Sequence, residues 1–416
     1  MIDKIQARTR ALTGRVYAYS FLGEFIPLYP VYVLMFQDSG LTLSEIAVMF
    51  TVWTITGFVA EIPTGIIADK MPRHLLVAIA AGLRGVGFAL WVLVPSFTGY
   101  TVGFVLWGMS TAFTSGAWQA LVYTELGALG ASERYVKVMG LSAMLGNIAV
   151  TSSMVLTPIL MKVGGYQLTG WISALACFLS IPMLLTIPHK TANEKSDDTE
   201  TPAEYVTGLR DGLTEIRSNG TLVRLLLVVA ALTAVVNFDE YMPLQARAAG
   251  VDTDYVSLLM LIPWAAMSLG GAAVAKWSSV TPRTIGVLLG VSVVLFAAGS
   301  LSEKVIGFIG IGIFYAIYRF TFVLAEARLQ DSIEGRSRAT IGSVAGFGSQ
   351  VFTLGFFGFF GIGGNWFSVP QLMSLMSVPM LALAVVTARW LPEQKHPHNG
   401  KKCPDAHDAH SEYDAV

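Results

Sequence analysis

The sequence contains few charged residues for its length. Asp, Glu, Lys and Arg make up 13% of the 416 residues, whereas hydrophobic residues make up 54%. A soluble globular protein has about a quarter of its residues charged. This composition therefore excludes an ordinary soluble protein and indicates a chain embedded in a lipid bilayer.

Cysteine is also scarce, and neither sign of charge is in large excess. Cys177 lies in an apolar run and Cys403 in the polar C-terminal tail, so the sequence contains no disulfide framework. The net charge of −1 gives no basis for binding nucleic acid or for a polybasic lipid-binding surface.

Several motifs of enzymes and pumps are absent. The chain has no G-x-x-x-x-G-K-[ST] phosphate loop, no H-E-x-x-H pair and no G-x-S-x-G nucleophile. We therefore expect neither an ATP-driven pump nor a membrane hydrolase, and the sequence indicates no cofactor and no metal site. Four of the six histidines lie in the tail, which we interpret as a solvated, disordered end rather than a metal-binding segment.

Apolar runs long enough to cross a bilayer recur along the chain. A hydrocarbon core about 30 Å thick requires roughly 20 mainly apolar residues per helix. The predicted spans cover residues 16–36, 43–68, 74–94, 100–124, 138–161, 167–187, 222–246, 254–275, 284–302, 305–327, 339–361 and 366–391. The fold class is therefore an all-α integral membrane protein with twelve transmembrane helices.

The distribution of Lys and Arg predicts the orientation. If the N-terminus is cytosolic, the cytosolic segments contain 22 of these residues and the outer loops contain three, Lys162, Arg247 and Lys304. An excess of positive charge marks the cytosolic side. We therefore expect both termini to be cytosolic.

One long polar stretch divides the spans into two sets of six. We predict an N-terminal half at 1–187, a cytosolic linker at 188–220, a C-terminal half at 221–392 and a tail at 393–416. The segment Glu24-Phe-Ile-Pro27 in the first span matches Glu240-Tyr-Met-Pro243 in the seventh. This match favours a parallel duplication of six helices.

The loop between the second and third spans carries a recognisable pattern. Gly65 is followed at fixed spacing by Asp69, Lys70, Arg73 and His74. This spacing resembles the loop signature of the major facilitator superfamily, although Pro72 and His74 depart from it. The resemblance implies two six-helix halves and secondary transport, and it implies that Gly65, Asp69, Lys70 and Arg73 control the conformational change.

Charged residues within the spans are the candidate functional groups, because they are costly in a membrane and tend to pair or to line a cavity. Glu61 and Arg84 lie at similar depths on adjacent antiparallel spans, about 15 to 20 Å from the intervening turn. We interpret them as a structural ion pair. A direct role in handling substrate or protons is the alternative.

Other candidates follow from the resemblance, since the first, fourth, seventh and tenth helices surround the central cavity in this superfamily. It would place Glu24, Asp239 and Glu240 on that cavity. Because a carboxylate near mid-membrane is desolvated and tends to hold a proton, we predict that Glu24 is the main proton carrier, assisted by Asp239 or Glu240. The implied substrate-cavity residues are Arg319, Tyr315, Tyr318, Trp118 and Gln119. The alternative is that these charges only brace the two halves against each other.

The sequence most resembles bacterial exporters of drugs or metabolites, although its fourth span has no Arg and its fifth has no glycine–proline pattern. We expect a monomeric, multi-pass transporter of the plasma (inner) membrane that exports amphipathic small molecules in exchange for protons. Its partners would be the substrate, protons and the bilayer. Proton-coupled uptake of a polar or anionic solute held by Arg319 stays open, as does a non-transporting receptor or assembly subunit.

Overall fold

A computed structural model describes residues 2–68, 70–187, 210, 214–333 and 338–393. Within these ranges the chain is helical and contains no β-strand. The helices of the first half are α1 (Ile2–Glu24), α2 (Tyr32–Asp38), α3 (Leu43–Ala68), α4 (Arg73–Leu93), α5 (Phe97–Thr114), α6 (Ala117–Ala128) and α7 (Tyr135–Leu185). Most of the linker, and the tail beyond residue 393, lie outside the described residues.

The described residues of the second half form eight α-helices. They are α8 (Gly220–Val235), α9 (Met242–Ala248), α10 (Val256–Leu259), α11 (Leu261–Trp277), α12 (Pro282–Leu301), α13 (Gly307–Asp331), α14 (Arg338–Gly363) and α15 (Val369–Trp390). A 3₁₀ segment, Val236–Tyr241, joins α8 to α9. Another, Thr253–Tyr255, precedes α10.

Nine helical segments in the described part of the chain are long and apolar enough to cross a membrane. One of them, Ser132–Leu185, covers two predicted spans, and its backbone breaks at Gly165, where φ is 57°. The first and fourth predicted spans are each divided into two shorter helices. The seventh and eighth predicted spans are also interrupted, by the 3₁₀ segment Val236–Tyr241 and at Met260. The prediction of continuous helices was therefore wrong in these spans.

Breaks occur at corresponding points of the two halves. α1 ends at Glu24, and the chain turns through Pro27 and Pro30 before α2 begins. α8 gives way to the 3₁₀ segment that contains Asp239 and Glu240. Proline lacks the N–H that would continue a helix, so Pro27 and Pro30 explain the first break.

The two halves pack against each other along α3 and α14, which run antiparallel. The Ser44 hydroxyl donates to the Gly361 carbonyl at 2.6 Å. The rings of Phe50 and Phe357 lie 5.1 Å apart between centroids. Those of Phe58 and Phe347 lie 5.8 Å apart. The contact therefore extends over most of the length of both helices.

Candidate functional site

A cavity of about 640 Å³ lies within the first half, between α1, α4, α5, α6 and α7. Trp264 of the second half also lines it. Its volume is in the range of small-molecule sites in proteins. The cavity is therefore the candidate functional site.

The cavity wall combines aromatic rings with small polar side chains. The rings of Tyr19 and Trp118 lie 4.4 Å apart between centroids. The remaining aromatic and hydroxyl-bearing residues of the wall are Trp107, Trp264, Ser20, Ser110, Thr111, Thr114, Ser115 and Ser142. This mixture can contact an apolar ring on one side of a ligand and form hydrogen bonds on the other.

Glu24 is the acidic residue of the cavity wall. It is the last residue of α1, it is half-buried, and its side chain packs over the backbone of Gly146 on α7. Among the described residues no side chain forms an ion pair or a hydrogen bond with its carboxyl group. The carboxyl group is therefore available to a ligand or a proton.

Arg84 lies next to Glu24 in the same cavity but is bound to the backbone of α1. Its Nη2 donates to the Gly23 carbonyl at 2.5 Å, and its Nη1 lies 3.5 Å from the Tyr29 hydroxyl. The last carbonyls of a helix have no partner within it and attract positive charge. Arg84 therefore caps the broken end of α1. Its Nε is buried and has no hydrogen-bond partner among the described residues.

The structure does not bring Glu61 and Arg84 together, although they were expected to pair. Glu61 is exposed on α3, and no ion pair joins it to Arg84. Depth along adjacent helices does not determine which way a side chain turns. The unpaired carbonyl of Gly23 provides Arg84 with a nearer partner.

Trp118 and Gln119 both line the cavity, on the first turn of α6. Gly116 separates α5 from α6 with φ of 71°, a conformation that glycine adopts without steric cost. The resulting bend turns the first residues of α6 toward α1. Trp118 is buried against Tyr19, whereas Gln119 is exposed.

Asp239 and Glu240 lie apart from this cavity, in the 3₁₀ segment of the second half. The Tyr32 hydroxyl donates to Glu240 across the two halves. Asp239 is exposed and lies near Tyr315 and Tyr318 of α13, both of which are buried. The Tyr315 hydroxyl has no hydrogen-bond partner in the described part of the protein.

Arg319 also lies outside the cavity wall. It is half-buried on α13, with its guanidinium 5.3 Å from the centroid of the Phe322 ring. The residues expected to surround one central cavity thus belong to two groups. Glu24, Trp118 and Gln119 line the cavity, whereas Asp239, Glu240, Tyr315, Tyr318 and Arg319 lie in the second half.

Of the predicted loop residues Gly65, Asp69, Lys70 and Arg73, Asp69 lies outside the described residues. Gly65 is exposed within α3, and Lys70 is exposed in the turn. Arg73 Nη1 donates to the Thr124 hydroxyl of α6 at 2.9 Å. Arg73 therefore connects this loop to the fourth predicted span.

A cluster that sequence reasoning missed joins the halves at the end of the bundle predicted to face outward. Arg247 of α9 contacts both carboxylate oxygens of Asp38 on α2, at 2.6 and 2.9 Å. Arg247 also donates to Gln37 and Thr253, and Tyr166 donates to Asp38. Partial burial alone would raise the pKa of Asp38, but the hydrogen bonds from Arg247 and Tyr166 outweigh it and lower that pKa.

The sequence contained a signal for this cluster. Arg247 is one of only three cations in the predicted outer loops, and Asp38 and Arg247 each lie two or three residues before a glycine, Gly40 or Gly250. Both glycines have positive φ, of 90° and 80°. The turns at Gly40 and Gly250 therefore share a positive φ, and the side chains before them, Asp38 and Arg247, carry opposite charges.

Broken helices around a cavity, in a bundle of two packed halves, are typical of membrane transporters. The chain belongs to the major facilitator superfamily, whose family model matches residues 16–357. It is accordingly a multi-pass transporter of the plasma membrane.

Among curated proteins, the Inner membrane transport protein YajR of Escherichia coli (strain K12) is 26% identical over 176 residues. The match covers 42% of this chain and 37% of YajR, so the chain aligns with a little over a third of that relative.

Two solved structures show the same fold at low identity. The nucleoside transporter NupG is 14% identical, with a TM-score of 0.71, over 91% of this chain and 98% of that chain. A bacterial homologue of the human lysosomal transporter Spinster, inward-facing and unoccupied, is 14% identical, with a TM-score of 0.70, over 93% and 97% of the two chains. At these identities the likeness concerns the fold alone.

Proposed function

We propose that the protein exports amphipathic small molecules in exchange for protons, by alternating access, with Glu24 as the main proton-carrying group. One observation carries the proposal: the Glu24 carboxyl group has no hydrogen-bond or ion-pair partner among the described residues, and it lines a cavity of about 640 Å³. A charged group within a membrane span is costly unless it is paired. Taking up a proton removes that cost.

The neighbouring Arg84 supports this role because its guanidinium already forms a hydrogen bond with the backbone of α1. Its hydrogen bond to Gly23 commits the guanidinium to the end of α1. It therefore biases the charge state of Glu24 without holding the carboxylate in a fixed pair. A proton or a cationic group on the substrate can then compete for Glu24 as the cavity opens to one side or the other.

The lining of the cavity supports an amphipathic substrate. The side chains of Tyr19, Trp107 and Trp118 offer apolar contact, and the hydroxyl groups of α5 and α7 offer hydrogen bonds. Such sites bind ligands mainly through apolar contact and use a few polar groups to orient them.

Polar contacts between the halves support alternating access. In the described part of the chain, those of Asp38 with Arg247, Lys162 with Tyr255 and Ser44 with Gly361 lie at the end predicted to face outward. This arrangement fits a state closed on that side. We expect Glu240, the repeat-mate of Glu24, and its neighbour Asp239 to assist in proton transfer. We expect the loop of Gly65, Asp69, Lys70 and Arg73 to control the exchange.

The second candidate function is proton-coupled uptake of an anionic solute. Arg319 favours it, because no ion pair or hydrogen bond engages its guanidinium among the described residues. Its position away from the cavity that contains Glu24 weighs against it.

Transport in everted membrane vesicles tests the proposal. Vesicles containing the protein are given a panel of amphipathic cations, neutral dyes and small organic anions, with and without an imposed proton gradient. Gradient-driven accumulation of an amphipathic compound is the expected result. Gradient-driven movement of the anions alone, abolished by Arg319→Gln, would instead support uptake.

A further inference from the structure

A second groove lies on the outside of the bundle, between α11, α12 and α13. Its volume is about 720 Å³, and its wall contains Leu269, Gly270, Ala273, Lys276, Thr284 and Phe320. Gly270 lies so close to the Ala316 carbonyl of α13 that the two helices touch along its floor. Small residues therefore form a smooth, apolar trough.

The groove runs from the predicted cytosolic end into the membrane. Leu269 is 71% exposed and lies seven residues before Lys276 on α11, a distance of roughly 10 Å along the helix. Trp277, next to Lys276, is 52% exposed. Tryptophan commonly marks the level of the lipid head groups. One end of the groove thus lies at head-group level and the other at acyl-chain level.

Lys276 lines the head-group end of the groove, and Arg283 directly precedes Thr284 of its wall. Lys276 Nζ lies 5.2 Å from the centroid of the Trp277 ring, and Arg283 is exposed in the first turn of α12. Neither forms an ion pair among the described residues. The corresponding cation of the first half, Arg73, is by contrast engaged by Thr124.

We propose that this groove binds a phospholipid with an anionic head group. Lys276 and Arg283 hold the phosphate, the Thr284 hydroxyl donates to it, and one acyl chain lies along the trough toward Leu269. The apolar wall explains why the ligand is a lipid. The unpaired cations explain why the head group is anionic, since basic pockets between membrane helices on this side favour such lipids.

Native mass spectrometry of the full-length protein in detergent tests the proposal, with palmitoyl-oleoyl phosphatidylglycerol and phosphatidylcholine as the probes. Wild type should retain phosphatidylglycerol in preference to phosphatidylcholine. The double variant Lys276→Gln, Arg283→Gln should lose roughly 30-fold in that preference, because each surface cation contributes about 5-fold. The control variant Lys137→Gln, Arg224→Gln removes two exposed cations elsewhere on the same side and should keep it.

A third variant separates a lipid from a free phosphate group. Ala272 is exposed in the groove, so Ala272→Phe fills the trough and leaves both cations in place. It should lower the retention of phosphatidylglycerol. Equal retention of the two lipids by wild type, equal losses in the two double variants, or undiminished retention by Ala272→Phe would each overturn the proposal.

Discussion

At the scale of single residues, Arg84 and Glu24 have different roles in the cavity: Arg84 caps the end of α1, and Glu24 is available to a ligand or a proton. The guanidinium compensates carbonyls that the break in α1 leaves without partners. Because this role fixes Arg84, the nearby carboxyl group of Glu24 keeps its freedom to change its protonation state. A direct ion pair between the two would have removed that freedom.

Arg84→Gln should therefore destabilise the protein through the end of α1. Losing a hydrogen bond from a charged donor to a buried carbonyl costs about 1.5 to 3 kcal/mol. The midpoint of thermal unfolding in detergent measures this loss. Glu61→Gln, on an exposed side chain of α3, serves as the control and should leave the midpoint nearly unchanged.

The double variant of Glu61 and Arg84 distinguishes a cap from an ion pair. Without contact between the two side chains, the losses of stability should add to within about 0.5 kcal/mol. A coupling energy above about 1 kcal/mol would show that Glu61 and Arg84 interact after all.

At the scale of elements, the breaks in the helices determine the position of the functional side chains more than the helices themselves do. The apolar runs predicted where the spans lie, because hydrophobic length is a property of the sequence alone. Glu24 was found in the same way, as an ionisable group within a span. The partner of Arg84 could not be predicted in this way, because the contact depends on the Gly23 carbonyl, which a local break in α1 leaves free. The outer cluster was missed because it joins residues more than 200 positions apart.

The break in the fourth predicted span is most sensitive to substitution at Gly116. An alanine there must adopt φ near 71° with ψ of −35°, which should cost at least the roughly 1 to 2 kcal/mol that a residue with a Cβ loses in the left-handed α region. Gly116→Ala should lower thermal stability and weaken substrate binding, because Trp118 and Gln119 would lose their orientation. Stability in detergent and equilibrium binding of a transported compound measure the two effects.

Gly140→Ala provides the matched control. Gly140 lies in α7 with nothing within 4 Å of an added Cβ. Because alanine is the better helix former, this variant should be neutral or more stable by up to about 1 kcal/mol. If Gly116→Ala were equally harmless, the bend would not depend on the glycine.

At the scale of the whole molecule, the contacts between the halves distinguish the two ends of the bundle. The cluster of Asp38, Tyr166 and Arg247 holds the halves together at one end. For alternating access, these contacts must break when that end opens. The cluster should therefore set the balance between conformations.

Asp38→Asn should shift that balance toward opening of this end, by about 5-fold for a loss of about 1 kcal/mol. Spin labels at Val163→Cys and Ile306→Cys, on exposed outer positions of the two halves in a Cys403→Ser background, report the separation as a distance. Asp252→Asn, an exposed outer aspartate without an ion pair among the described residues, should leave the distance distribution unchanged.

The same labels test the pH dependence of closure in wild type. The lowered pKa of Asp38 stabilises the closed end wherever the carboxyl group is ionised. The stabilisation is therefore complete above its ordinary pKa, about 3.9, and lost as the pH falls through the lowered value. Closure should be constant between about pH 5 and 8 with respect to this group. A transition near pH 6 that disappears in Asp38→Asn would contradict this assignment.

The central claim is that Glu24 carries the coupled proton, and reconstituted transport tests it most directly. Purified wild type and Glu24→Gln are placed in proteoliposomes with a compound that wild type accumulates under a pH gradient. Glutamine mimics the protonated carboxyl group, so the variant should bind the compound and exchange it across the membrane but should not accumulate it. Glu326→Gln, an exposed acid on α13, should behave as wild type. Undiminished gradient-driven accumulation by Glu24→Gln would contradict the account and shift the role to Asp239 and Glu240.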